Sequence, residues 1–459
     1  MMEFIHQPYY PGETIAAIAT PPGEGGVAII RISGDQSLEV AAKIFSGSIF
    51  SYRSHTAHYG QIYNSSGEHV DDVLVLIMLG KRSYTGENTV EIHCHGGSLI
   101  TRKVLEVVLA AGARAALPGE FTFKAYMNGK IDLAQAEAVQ ELICAKNEKA
   151  LGAAESQLKG SLSNRVLAFQ STLTQIAAIL EAWVDFPEEG LEFATMDELD
   201  QDLERTAKDM EKLVNSFHNG KILHDGLSIC LIGCPNVGKS SLMNALLDRD
   251  RAIVSPIPGT TRDVLEDHLR LNGLHIKLSD TAGIREANES VEQEGIRRSK
   301  KAMQEADLIL LVLDAHKGLE KEDQELLKQV PFHKTIVIWN KIDLNPRNLP
   351  CLEVPFLVHL SAKEKIGLEE LHQTIDTIIW QDGPPSKEEI LITNVRHKEA
   401  LIESIESLRR VQIGLRHQVS PEFLTLDMRQ SLLELGKIIG TNISEDILSA
   451  IFSKFCIGK

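Results

Sequence analysis

Between Thr14 and Met127 the apolar residues come in short runs. Thr14 to Thr20, Val27 to Ile32, Gly60 to Tyr63, Val73 to Leu79 and Val90 to His93 predict strands, and Leu99 to Ala111 predicts a helix, so this stretch is mixed α and β. From Asp132 the period lengthens. Leu158, Leu162, Val166, Phe169, Leu173, Ile176, Leu180 and Trp183 fall at three- and four-residue steps, which predicts one helix whose apolar stripe is core or dimer seam. Asp185-Phe186-Pro187 stops that helix, and Met196 to Phe217 predicts another that ends near His224-Asp225-Gly226. An apolar run, Leu227 to Ile232, then predicts a buried strand ahead of a glycine-containing loop and a helical spacing from Ser241 to Leu247. Further strand-like runs are Ile276 to Leu278, Thr335 to Trp339 and Phe356 to Leu360. After Gly383-Pro384-Pro385, helices resume at Leu401, Ile405, Leu408 and Leu415, then from Ser420-Pro421-Glu422, where serine caps and proline occupies the first turn.

Helices thus flank an α/β stretch on both sides, which predicts a helical domain interrupted by an independently folding insert whose ends lie close together. The expected divisions are 1–127, an N-terminal α+β domain; 128–224 and 384–459, two parts of one helical domain; and 225–383, an inserted doubly wound P-loop domain.

The loop that follows Ile232 is Gly233-Cys234-Pro235-Asn236-Val237-Gly238-Lys239-Ser240. Between a strand and a helix, such a loop turns backbone N–H groups toward phosphate oxygens. The helix N-terminus adds partial positive charge, Lys239 reaches the β/γ-phosphates and the Ser240 hydroxyl ligates Mg²⁺. Three later stretches narrow the nucleotide to GTP. Asp280-Thr281-Ala282-Gly283 offers a carboxylate near the metal and a glycine amide near the γ-phosphate. Asn340-Lys341-Ile342-Asp343 supplies an aspartate that accepts from the two N–H donors on the guanine edge, where adenine has no matching pair. Ser361-Ala362-Lys363 closes over the base. Each is a common turn taken singly; the four in this order define a guanine-nucleotide site.

The formal net charge of -17 argues against a nonspecific nucleic-acid coat, so any RNA contact must be local. The six cysteines are scattered without a Cys-x-x-Cys pair, as in a cytoplasmic protein with reduced thiols. No apolar run reaches the length of a membrane span, and Met1 to Thr14 has neither a signal-peptide core nor transit-peptide arginines. His93-Cys94-His95 invites a metal, but adjacent strand residues point to opposite faces and no second ligand cluster follows. Arg31 and Glu91 stand out as charges inside apolar strands; by themselves they read as a solvated face or a mutual ion pair.

This order of elements, with Pro118-Gly119-Glu120-Phe121, Asn128-Gly129-Lys130-Ile131-Asp132-Leu133-Ala134-Gln135-Ala136-Glu137-Ala138 and the terminal Cys456-Ile457-Gly458-Lys459, resembles the MnmE (TrmE) family of tRNA modification GTPases over essentially the whole chain. The resemblance implies a homodimer, a partner FAD protein known as MnmG or GidA, and joint modification of the tRNA wobble uridine at C5 to an aminomethyl or carboxymethylaminomethyl form. It further implies an N-terminal domain that binds 5-formyl- or 5,10-methylene-tetrahydrofolate. The folate contacts it implies fall on Arg31, Glu91, Lys130 and Lys459, and the tail it implies beside that pocket brings Cys456 near the one-carbon unit, either as a catalytic nucleophile or as a residue that shapes the pocket. Nucleotide contacts fall on Asn236, Val237, Gly238, Lys239, Ser240 and Ser241, on Ser255, Pro256, Ile257, Pro258, Gly259, Thr260 and Thr261, and on the three later motifs. By the same resemblance Thr261 joins Ser240 on Mg²⁺, and Asn236, Ser255, Ile257 and Thr260 hold K⁺.

In Ras-like GTPases a glutamine just after Asp-x-x-Gly orients the attacking water. Here that place is Ile284, and the resemblance puts a substitute carboxylate at Glu292. The alternative from a different class is a ribosome-assembly GTPase of the Era or Der kind, but neither a second phosphate loop nor a Gly-x-x-Gly loop in a KH-like setting follows the nucleotide motifs. A third reading is a folate-dependent methyltransferase carrying a regulatory GTPase.

Overall fold

A computed structural model describes residues 3–5, 7–186, 195–249, 266–271, 274–280, 303–344, 349–380 and 389–459. Two compact units emerge: one of Met1–Ile143, Ser156–Glu211 and Glu399–Lys459, the other of Cys144–Glu155 and Lys212–Lys398.

The first unit holds a small ladder of β1 (Glu3–Phe4) and β2 (Gln7–Pro8), and a six-stranded sheet of β3 (Ile15–Ile18), β4 (Val27–Ser33), β5 (Thr56–Tyr63), β6 (His69–Met78), β7 (Thr89–His95) and β8 (Arg114–Ala115). The sheet order is β5-β6-β7-β4-β3-β8, antiparallel except for the β3–β8 pair. Its strands alternate. Ala28, Ile30, Ile32, Val73, Val75, Ile77, Val90, Ile92 and Cys94 pack with helices Ser37–Ile44 and Ser98–Ala110 in one core. Burying each such Val or Ile contributes roughly 1.5–3 kcal/mol. Ile29, Arg31, Glu91 and His93 necessarily take the opposite face, and a one-residue slip would drive both charges into the core.

In the helical part the sequence expectation needs a correction. The apolar stripe is interrupted: one helix ends at Leu158 and the next runs Ser161–Asp185, with Gly160 between them in a left-handed conformation. A glycine accepts that φ without a Cβ penalty, so the periodicity runs on while the backbone turns. Leu162, Val166, Phe169, Leu173, Ile176 and Leu180 are buried in the second helix, which packs against Pro421–Ile439. Pro421 does occupy the first turn of that helix. Ser420, however, makes no side-chain cap, and its hydroxyl turns to the Glu422 carboxylate instead. The C-terminal helix Glu445–Phe452 is pinned by aromatic rings: Phe452 lies 5.3 Å edge-on from Phe123 and 6.0 Å from Phe4.

The second unit is built on β9 (Leu227–Ile232), β10 (Glu266–Leu271), β11 (Leu274–Asp280), β12 (Leu308–Asp314), β13 (Thr335–Asn340) and β14 (Leu357–His359) in the order β10-β11-β9-β12-β13-β14. Only the β10–β11 pair is antiparallel. Every residue of β12 is buried, as expected for a parallel strand covered on both faces. Leu308, Leu310 and Val312 join one core, Ile309, Leu311 and Leu313 the other. Successive strands leave β9 to opposite sides, so the sheet's topological switch point, where doubly wound folds bind ligands, lies at its C-terminal edge.

Candidate functional site

At that edge β9 runs into the loop 233–238 and then into the helix Lys239–Arg249. Two glycines are needed for close approach. A Cβ on Gly233 would stand 2.3 Å from the Val312 carbonyl oxygen, and one on Gly238 would stand 2.3 Å from Asn340 Nδ2. Asn236 adopts a left-handed φ of 64° in the same turn. Lys239 folds back over the loop, its Nζ donating to the carbonyls of Gly233 at 2.7 Å and Cys234 at 2.8 Å. Ser240 and Ser241 are exposed on the first turn.

The stretch Asn340-Lys341-Ile342-Asp343 ties into this loop. Asn340 donates from Nδ2 to the Val237 carbonyl at 2.9 Å and accepts from the Ala362 amide at 3.0 Å, joining the phosphate loop to Ser361-Ala362-Lys363. Lys341 Nζ donates to the Asn236 carbonyl and to Asp314 Oδ2, both at 2.6 Å. Burial alone would raise the Asp314 carboxyl. The Lys341 ammonium and the amides of His316 and Lys317 more than offset it, and the group is held below its ordinary range. Asp343 Oδ1 is buried with no hydrogen-bond partner among the described residues. Such an oxygen is costly to leave unpaired, and a ligand N–H donor would satisfy it. Ser361 is buried, its hydroxyl accepting from the Glu364 amide, while Lys363 is exposed.

Asp280 ends β11, whose register places it opposite Leu231, at the same sheet edge. Ser255 to Thr261, Thr281 to Gly283, Ile284 and Glu292 lie outside the described residues.

Asp314 and the pair Cys234–Asp323 were missed by sequence reasoning. Asp314 carried a signal, since it ends the apolar run Leu308 to Leu313. Cys234 Sγ donates to Asp323 Oδ1 at 3.1 Å, while Asp323 Oδ2 accepts from the Glu320 amide that starts helix Lys321–Gln329. Burial, then the Asp323 carboxylate, push the Cys234 thiol up to about 12, which keeps the S–H donor in place.

The first unit presents a second constellation on the outer sheet face. Arg31 and Glu91 are register partners across β4 and β7, with Arg31 Nε donating to Glu91 Oε1 at 2.8 Å. The mutual ion pair is therefore realised. Arg31 also lies 5.9 Å from the Tyr84 ring centroid and 5.7 Å from that of Phe121, and its Nη1 donates to the Gly458 carbonyl at 3.2 Å. The terminal residues thus reach the pair. Gly458 is buried at φ 94°, and a Cβ there would meet the Ile18 carbonyl oxygen at 2.3 Å. Cys456 is exposed, and its carbonyl accepts from the Gly119 amide at 3.4 Å. Lys130 Nζ is directed to the Lys81 carbonyl at 2.6 Å. Among the described residues no three His, Cys, Asp or Glu side chains gather to hold a metal, and no helix is long and apolar enough to cross a membrane.

A glycine-turned loop between strand and helix at the switch point of a doubly wound sheet, with the unpartnered Asp343 oxygen just past the end of β13, is the arrangement of a P-loop GTPase. The family profile described as "GTP-binding protein TrmE N-terminus" matches residues 14–130, and "MnmE helical domain" matches 133–456. The chain is 99% identical over 458 residues to the tRNA modification GTPase MnmE of Protochlamydia amoebophila, covering 100% of both chains. It is 44% identical to that of Thermoanaerobacter pseudethanolicus, covering 97% of this chain and 99% of the relative. Among solved structures it is similar to Era from Aquifex aeolicus bound to GDP and aluminium fluoride, at 30% identity over 39% of this chain and 66% of that one, with a TM-score of 0.27. The chain belongs to the MnmE family of tRNA modification GTPases. Its enzymatic class is thereby GTP hydrolysis in tRNA modification, and the reading as a ribosome-assembly factor gives way to it.

Proposed function

We propose that the chain, as a homodimer working with an FAD-containing protein of the MnmG kind, uses GTP hydrolysis to gate folate-dependent modification of the wobble uridine of certain tRNAs at C5. The observation that carries this reading is the convergence of Arg31, Glu91 and the terminal Gly458 on one sheet face. Glu91 Oε2 makes no hydrogen bond among the described residues, so the carboxylate keeps an acceptor for the amide and amino edge of a pteridine. The half-buried Tyr84 ring beside Arg31 offers apolar surface on the same face. Lys130 and Lys459 suit the glutamate tail. A bound 5-formyl- or 5,10-methylene-tetrahydrofolate would supply the one-carbon unit, and Cys456 of the same C-terminal tail would act on it. The exposed register pair Tyr59 and Leu74 on the outer sheet face supports self-association of the 1–127 region.

In the nucleotide site the glycine cradle and the unpaired Asp343 oxygen fit GTP. Ser240 and Thr261 would hold Mg²⁺, and Asn236, Ser255, Ile257 and Thr260 would hold K⁺. A K⁺ ion held there would supply positive charge of the kind an arginine finger supplies elsewhere. Glu292 takes the water-orienting role that Ile284 cannot perform.

The deciding experiment pairs two measurements on the full chain. Titration with 5-formyltetrahydrofolate should give saturable binding that Glu91→Gln weakens, and tRNA from cells lacking the protein should carry unmodified wobble uridine. Normal wobble uridine in those cells would overturn the proposal. Hydrolysis should also fall steeply when Na⁺ replaces K⁺; equal rates would remove the K⁺ assignment alone.

A further inference from the structure

The outer sheet face holds a histidine that the folate reading leaves unused. His93 follows Glu91 by two residues on β7, so both side chains leave the same face, and its register neighbours are Ile29 on β4 and Leu74 on β6. Its Nε2 is shut off from solvent and has no hydrogen-bond partner among the described residues. It stands 3.6 Å from Glu91 Oε2, just beyond hydrogen-bond reach. The other carboxylate oxygen already accepts from Arg31.

A metal does not account for this nitrogen. Cys94 turns into the core on the opposite face, and His95 is engaged by Asp71, with Nδ1 to Oδ1 at 2.7 Å and the His95 amide donating to Oδ2 at 2.8 Å. Among the described residues, the acidic partner within 4 Å of His93 Nε2 is Glu91.

We infer that His93 is a positioning residue of the folate site, closing its Nε2–H onto Glu91 Oε2 so that Arg31 and His93 together fix the plane of the carboxylate that reads the ligand. The inference rests on the folate reading above. A carboxylate that accepts from two neighbouring N–H donors must present both oxygens in the plane of those donors. Its terminal torsion is otherwise broad, and a partner on one oxygen alone leaves much of that freedom. A second N–H from the other side removes it before the ligand arrives, which lowers the ordering cost of binding. A shift of a few tenths of an ångström brings the 3.6 Å separation into hydrogen-bond range.

The test is calorimetric titration of the full-length chain with 5-formyltetrahydrofolate, with GTP hydrolysis measured alongside. His93→Ala should weaken binding roughly tenfold, the scale of one hydrogen bond to a charged group, and leave hydrolysis unchanged. His93→Gln keeps a planar N–H donor and should recover most of the loss. In a Glu91→Gln background, His93→Ala should add little, because the histidine acts through the carboxylate. Binding by His93→Ala as tight as wild type, equal weakness in Ala and Gln variants, or full additivity with Glu91→Gln would each overturn the positioning role while leaving the folate reading intact. No binding by the wild-type chain would remove that reading and this inference with it.

Discussion

In the nucleotide-binding unit, the two lysines of the loop site each reach backbone oxygens. Lys239 donates to the carbonyls of Gly233 and Cys234, and Lys341 to that of Asn236 as well as to Asp314. On the outer sheet face of the other unit, side chains hold one another: Arg31 grips Glu91, and one backbone group, the Gly458 carbonyl, completes the set. The difference follows from how each site is built. A phosphate loop is a short contiguous turn whose own carbonyls lie within reach of its lysine, and glycine supplies the close approaches. A sheet face has its backbone groups committed to the ladder, so charges there must find partners across strands. The first kind of site tolerates distant change and fails through local shape. The second depends on register and on a chain end that arrives from 427 residues away.

The sharpest break between the two sites is Cys456→Ser. It should abolish wobble-uridine modification, read by nucleoside analysis of tRNA, while GTP hydrolysis by the purified protein stays near wild type; parallel loss of both would make the tail a folding element. Next is Asp343→Asn, which turns one of the two oxygens proposed to read the guanine edge into a donor. GTP affinity should fall by roughly 10³-fold or more, the scale for a site left with mismatched buried polar groups, and xanthine nucleotides should recover it. Retained GTP preference in a nucleotide competition assay would contradict the base-reading role. Gly458→Ala should act only on the sheet face. Its Cβ would collide with the Ile18 carbonyl and its positive φ is strained, so 5-formyltetrahydrofolate affinity should fall about tenfold with hydrolysis unaltered.

The smallest effect sharpens the comparison through thiol reactivity alone and needs no activity assay. Iodoacetamide at pH 8 should label the exposed Cys144, Cys351 and Cys456 and spare Cys94 and Cys234, as peptide mass spectrometry would show. Burial pushes Cys94 up to about 11, and burial with Asp323 pushes Cys234 up to about 12. An unfolded thiol titrates near ~8.5. The contribution of these thiols to stability is therefore fully present below that pH and is lost as pH rises toward the folded values.

Motif and period carried much of this protein in the linear chain. The run Leu227 to Ile232, the loop to Ser240 and the helix after it are contiguous, so strand, turn chemistry and phosphate site were legible together. Asn340 was legible because it ends a buried strand and Asp343 because it follows in the turn beyond, and alternation alone put Arg31 and Glu91 on strands with one polar face. Period identifies a face, not the partner across it. The pairing of Arg31 with Glu91 needed the β4–β7 register, and the closeness of His93 to Glu91 Oε2 needed the rotamers that packing selects. Gly160 broke a helix through an apolar stripe that continues across it, because side-chain spacing does not report φ. The union of Asp314 with Lys341 and the arrival of Gly458 at Arg31 join residues far apart in sequence. Only the folded chain decides such contacts, since no local term rewards either partner until the strands and helices between them have packed.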